Sequence, residues 1–101
     1  MSPALSVQLD MQAFCEASDL PVACVIEIVE HGILEPQGRS PDAWRFLDHE
    51  LSIARRAAKL HEDLELEWQG VALALELLGE VRQLRAENRM LRQRLERFVH
   101  D

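Results

Sequence analysis

Apolar residues along this chain recur at helical spacing, in four stretches separated by short clusters of turn-forming residues. In Leu9 to Ser18, Met11, Phe14, Cys15 and Ser18 fall three or four apart, with Asp10 placed as the N-cap of a first helix. Ser18-Asp19-Leu20-Pro21 reads as a turn, and Pro21 suits the first position of a second helix running from Val22 to His31. Val25, Ile28 and Val29 form the apolar face of that helix, and Gly32 ends it as a left-handed C′ residue. Two short helices joined by a tight turn define a helix-turn-helix unit. Ile33-Leu34-Glu35 and Ala43-Trp44-Arg45-Phe46 then predict two short strands around a turn-rich segment, Pro36 to Asp42, which would form a wing.

A third helix is expected from a cap at Asp48 to about His61, with Leu51, Ile53, Ala54, Ala57, Ala58 and Leu60 as its apolar contacts. Glu62-Asp63-Leu64-Glu65-Leu66-Glu67 reads as an acidic connection. From Trp68 a long helical pattern reaches Phe98, weakened at Gly70 and Gly79. This divides the chain into a winged helix-turn-helix domain over residues 1–66 and a long C-terminal helix over residues 67–101. The expected fold is mainly α, with a short β-hairpin wing.

The last segment follows a heptad. Ala74, Val81, Asn88 and Leu95 occupy position a, and Leu77, Leu84, Leu91 and Phe98 occupy position d. Only Asn88 among these is polar, and a single Asn at a fixes register in parallel two-stranded coils. In a parallel pair, Glu80 and Glu87 at g would face Arg85 and Arg92 at e of the other copy, whereas an antiparallel pair sets Glu87 against itself. A helix folded back on its own domain is the alternative to self-association, and the orientation of pairing stays open.

Charge changes what a helix-turn-helix can be for. The net charge is −7, and residues 1–38 contain six acids and no Lys or Arg, while residues 80–101 sum to +2. A DNA reader needs cations to displace the counterions of phosphates, and its recognition helix carries them. Here that helix presents Glu27 and Glu30 three residues apart, which disfavours direct nucleic-acid binding as the main function. An acidic surface attracts a basic protein instead. Ile26, an apolar neighbour of these acids, together with Glu27, Glu30 and His31, is the candidate partner-binding face; Glu62, Asp63 and Glu65 form a second acidic cluster. Leu77, Val81, Leu84, Asn88, Leu91, Leu95 and Phe98 are the candidate dimerisation residues.

Catalytic, metal and cofactor sites are not expected. The four histidines, His31, His49, His61 and His100, are scattered, and the four glycines are isolated, so neither a zinc motif nor a phosphate loop appears. Cys15 and Cys24 have neither disulfide-framework nor zinc spacing and read as reduced, small hydrophobes. Met1-Ser2-Pro3-Ala4 lacks the basic and apolar regions of a signal peptide, and no apolar run reaches membrane length. A cytoplasmic, non-enzymatic protein is therefore expected, without membrane contact.

Asp10 to Phe46 resembles the winged helix-turn-helix of the MerR regulators. Gly32-Ile33-Leu34-Glu35-Pro36 stands at that family's wing entry and Trp44-Arg45-Phe46 at its return strand. Over Val7 to His100 the chain more specifically resembles the CbpM family of chaperone modulators. Phe14-Cys15, Glu27-Ile28-Val29, Trp44 with Phe46, Leu64-Glu65-Leu66-Glu67-Trp68 and the tail Glu87-Asn88-Arg89-Met90-Leu91-Arg92-Gln93-Arg94-Leu95 carry that likeness. Departures lie at Gln37 to Asp42 and Ser18 to Cys24. The resemblance implies a regulator that binds the J domain of CbpA, a DnaJ-like co-chaperone, and suppresses both its stimulation of DnaK and its DNA association. A MerR-like dimer covering another basic protein, or less readily DNA, is the alternative.

Overall fold

In the computed structural model, which describes residues 7–99, helix α1 (Met11–Ser18) begins where an acceptor is supplied for its orphan amides. The Asp10 carboxylate accepts the Ala13 N–H at 2.9 Å, so the expected cap is in place. Met1-Ser2-Pro3-Ala4 and His100, both used above, lie outside the described residues. Asp10→Ala should cost about 1 kcal/mol and lower Tm by about 4–8 °C in a thermal melt; an unchanged Tm would show that solvent replaces this cap without loss.

Helix α1 ends at Asp19, whose left-handed φ of 61° turns the chain sharply toward α2 (Val22–Glu30). Pro21 serves as N-cap of α2 with an extended backbone, one position earlier than expected, and its carbonyl accepts the Cys24 and Val25 amides. At the other end His31 is the C-cap and Gly32, at φ +76°, is the C′ residue. The Gly32 amide bonds the Val29 carbonyl at 3.0 Å and the Ile33 amide the Ile28 carbonyl at 3.1 Å. Both bonds of a Schellman closure are thus made, as Gly32 predicts.

The wing departs from a regular hairpin. The strands expected at Ile33–Glu35 and Ala43–Phe46 reduce to one bridge, in which Gln37 and Arg45 exchange backbone bonds of 3.2 and 2.9 Å. Pro36 has no N–H with which to extend a ladder on one side. Beyond the bridge, Gly38 sits at φ +117°, and any Cβ there would collide with the Ala43 carbonyl. Phe46 is instead recruited by the N-terminal segment. Strand β1 (Gln8–Leu9) pairs antiparallel with β2 (Phe46–Leu47), matching Gln8 to Leu47 and Leu9 to Phe46. Leu9, assigned above to the first helix, therefore belongs to a strand.

Helix α3 runs Glu50–Asp63, starting later and ending later than expected. Asp48 does not cap it through its side chain; its carbonyl accepts the Leu51 amide at 3.1 Å. Glu50 takes over by accepting the Leu47 amide at 2.8 Å, which ties the strand exit to the first turn of the helix. Helix α4 (Trp68–Val99) follows Leu64 to Glu67, where Glu65 adopts φ 52°.

One core joins all these elements. Phe14 of α1 stacks on Phe46 of β2 with centroids 4.2 Å apart, and Trp44 meets Phe46 edge-on at 6.3 Å. Val25 and Ile28 bring in α2, Ala54 and Ala57 bring in α3, and Val71 brings in α4, all at 0 % exposure. Each buried large side chain contributes about 1.5–3 kcal/mol, so this cluster dominates the domain's stability. The Arg55 guanidinium donates to the Ala17 carbonyl and ties α3 to the end of α1.

Beyond the core, α4 departs from globular packing. Every residue from Glu76 to Val99 is exposed, so the helix does not fold back on its own domain. The radius of gyration is 18.0 Å, against about 13 Å for a globular chain of this length. No helix among the described residues is long and apolar enough to cross a membrane.

Candidate functional site

The second helix of the helix-turn-helix carries the first candidate face. Glu30 is exposed and Glu27 half-exposed. His31 caps the helix and is fixed by its ring: Nδ1 lies 2.8 Å from the Glu27 carbonyl and 3.6 Å from its carboxylate. A carbonyl only accepts, so Nδ1 carries the proton in that bond. Ile26 differs from expectation. It is half-buried and packs against the core, because α2 is flanked by both α1 and α3. The large exposed apolar side chain on this helix is Val22, 48 % exposed at its first turn. No Lys or Arg occurs in α2.

Glu62 and Asp63 close α3, and Glu65 follows at its left-handed position. Lys59 bonds Asp63 at 3.0 Å, and among the described residues Glu62 and Glu65 have no such cation. The two acidic groups are not merged by the fold. Glu62 shares a cleft with Pro21 and Cys24 at the start of α2, whereas Glu27, Glu30 and His31 occupy its end. The nine residues of α2 span about 13 Å between them.

Cys15 and Cys24 are both free. Burial pushes their thiols above the ordinary value, and for Cys24 the neighbouring Cys15 and Glu27 add to the rise. Neutral thiols that pack against the core act as small hydrophobes. Among the described residues, no three His, Cys, Asp or Glu side chains converge as a metal site.

The structure adds one feature that the sequence patterns did not show and the exposure of one that they did. His61 is a structural elbow: its ring stacks on Trp68 at 4.0 Å, and its Nδ1 lies 2.7 Å from the Leu66 carbonyl. These contacts bridge α3 and α4 across the acidic connection and set the direction in which α4 leaves. The other is the exposed apolar band on α4. Leu77, Val81, Leu84, Leu91, Leu95 and Phe98 are between 40 and 84 % exposed, a continuous seam without cover in one chain. The heptad gave their spacing; only the structure shows that Leu73 and Leu78, at g and e, extend the band toward the domain.

A helix-turn-helix whose second helix is acidic-faced, a small wing and a projecting helix with an uncovered heptad seam define a MerR-like regulatory protein that lacks the cationic recognition helix of a DNA reader. In agreement, the sequence model of the MerR HTH family regulatory proteins matches residues 9–93. Full-length relatives are more specific. A chaperone modulatory protein CbpM of Pseudomonas putida (strain GB-1) is 65 % identical, that of Pseudomonas entomophila (strain L48) 61 %, each alignment covering 98 % of both chains. CbpM of Escherichia coli O9:H4 (strain HS) is 38 % identical over 94 % of each chain. The chain belongs to the CbpM family of chaperone modulatory proteins.

Proposed function

We propose that this chain inhibits a DnaJ-like co-chaperone by binding the J domain of CbpA, blocking its stimulation of DnaK and its association with DNA. The α2 face formed by Ile26, Glu27, Glu30 and His31 is the main contact, with Glu62, Asp63 and Glu65 as a second one. Residues 1–66 recognise the partner, and residues 67–101 pair two copies through Leu77, Val81, Leu84, Asn88, Leu91, Leu95 and Phe98. The protein acts in the cytoplasm, without a cofactor.

The observation that carries this reading is a recognition helix whose solvent face bears carboxylates and no cation, in a family named for modulating a chaperone. A J domain engages DnaK through a basic helix. Carboxylates held on a rigid helix complement that surface and exclude the chaperone by occupancy, with no covalent step. Ile26 contributes only its exposed edge, and Val22 supplies the additional apolar contact. A dimeric regulator of some other basic protein would share the charge argument and differ in partner alone; DNA is disfavoured by Glu27 and Glu30.

Titration of the full chain against the isolated J domain of the host's CbpA-like protein, at low and high salt, is the test. Saturable binding that weakens as salt rises is expected, since screening shortens the reach of exposed charges. Two folded proteins that fail to associate even at low salt would end this reading.

A further inference from the structure

Between the end of α2, the middle of α3 and the early turns of α4 lies an open cleft of about 560 Å³. Ile33, Ile53 and Leu75 contribute apolar surface to its lining. Arg56 of α3, Arg82 of α4 and His31 also line it, and Glu76 is its lone carboxylate. Both arginines are exposed, and neither has an ion-pair partner among the described residues, Glu76 included. In a chain of net charge −7, two unpaired guanidinium groups beside apolar side chains form a local inversion of sign. Guanidinium forks favour planar carboxylates, which they grip through paired N–H donors.

The neighbourhood narrows the ligand. A nucleic acid would bring successive phosphates against Glu76 and against Glu27 and Glu30 on the adjoining turn of α2, with too few cations to release its counterions. A single carboxylate flanked by apolar side chains meets no such conflict. Its charge reaches Arg56 and Arg82 while its neighbours cover Ile33, Ile53 and Leu75. His31 belongs both to this cleft and to the acidic face of α2, so the two surfaces are contiguous.

We propose that the cleft docks an acidic, apolar-flanked segment of the same protein partner that meets α2, with Arg56 and Arg82 holding its carboxylate. The partner surface is then dipolar: a basic region on Glu27 and Glu30, and an acidic one in the cleft. Opposed signs side by side fix orientation, because a partner docked the other way round sets like charges against each other. The identity of that partner rests on the function proposed above; the existence of the site does not.

Two measurements separate these layers. In the first, the isotopically labelled full chain is titrated with millimolar N-acetyl-Leu-Asp-Leu amide and, separately, with the Leu-Asn-Leu amide. NMR follows the Arg56 and Arg82 Nε–H signals and the Gly32 and Ile33 amides. The aspartyl peptide is expected to shift all four together and to bind about tenfold more tightly than its asparaginyl twin, a difference lost in Arg56→Gln/Arg82→Gln. Equal response to both peptides, or shifts elsewhere only, overturns the site. In the second, the same double variant is expected to bind the J domain about tenfold more weakly, while the exposed control Arg97→Gln does not change. Unchanged J-domain affinity in the double variant overturns the shared-partner assignment. Failure of the unaltered protein to bind the J domain instead counts against the proposed function, and the peptide titration still decides the cleft.

Discussion

Leu84→Ala/Leu91→Ala is expected to convert the proposed dimer to a monomer at micromolar concentration without unfolding the chain. Both side chains lie at d positions and are 62 and 57 % exposed in a single chain, so their removal takes nothing from the core. Alanine is the best helix former, so α4 itself should keep its helicity. In a paired coil, by contrast, each Leu would be a knob in a hole of the facing helix. Truncating a packed Leu costs about 2–5 kcal/mol, and symmetry doubles the number of lost contacts. Even a total of about 4 kcal/mol, well below that sum, weakens the dissociation constant about a thousandfold. Sedimentation velocity with circular dichroism on the same samples checks both halves of the expectation. A dimer that persists at unchanged concentration would place the contact away from this seam.

Charge reversal of the α2 face has the second large expected effect. Glu27→Lys/Glu30→Lys adds four units of positive charge opposite a basic partner and should weaken J-domain binding well over tenfold at low salt. Glu30 is exposed and Glu27 half-exposed, and among the described residues their carboxylates make one ion-pair approach, that of Glu27 to His31 at 3.6 Å. An exposed pair of that kind contributes little to stability, so the fold should be preserved. Raising the salt should narrow the gap between variant and parent, as screening removes both the attraction and the repulsion. Calorimetric titration at two ionic strengths measures it. Equal affinities for the two proteins at low salt would remove this face from the interface. Glu62→Lys/Glu65→Lys, at the far end of α2, is the natural comparison and should have the smaller effect, since Asp63 in that cluster is already engaged by Lys59.

The helices were legible because their signals are local and repeated. Asp10 announces α1, Gly32 ends α2 with both expected closure bonds, and the heptad from Ala74 to Phe98 sits inside α4. The sheet was not. A two-residue strand such as Gln8–Leu9 has no periodicity of its own, and its existence depends on Phe46–Leu47 arriving from a distant part of the chain. The same dependence hid the burial of Ile26, whose position on α2 allows exposure until α1 and α3 pack around it. The acidic face was read directly from composition because charge needs no partner to be recognised. The cleft beneath His31 could not be, since Ile33, Arg56 and Arg82 are far apart in sequence and meet only when α2, α3 and α4 converge.

The elbow at His61 and Trp68 has a mechanical consequence. Helix α4 is anchored to the domain only through its opening turns, at Trp68, Val71 and Leu75, and its 32 residues extend about 48 Å at 1.5 Å per residue. It is a lever arm with a short fulcrum. A rotation of about 10° at the stacked rings carries the far end, roughly 46 Å beyond Trp68, through about 8 Å. Two copies joined along that arm would hold their acidic heads at a span dictated by two aromatic rings, and any force applied to one head would be transmitted to the other through the pair of fulcrums.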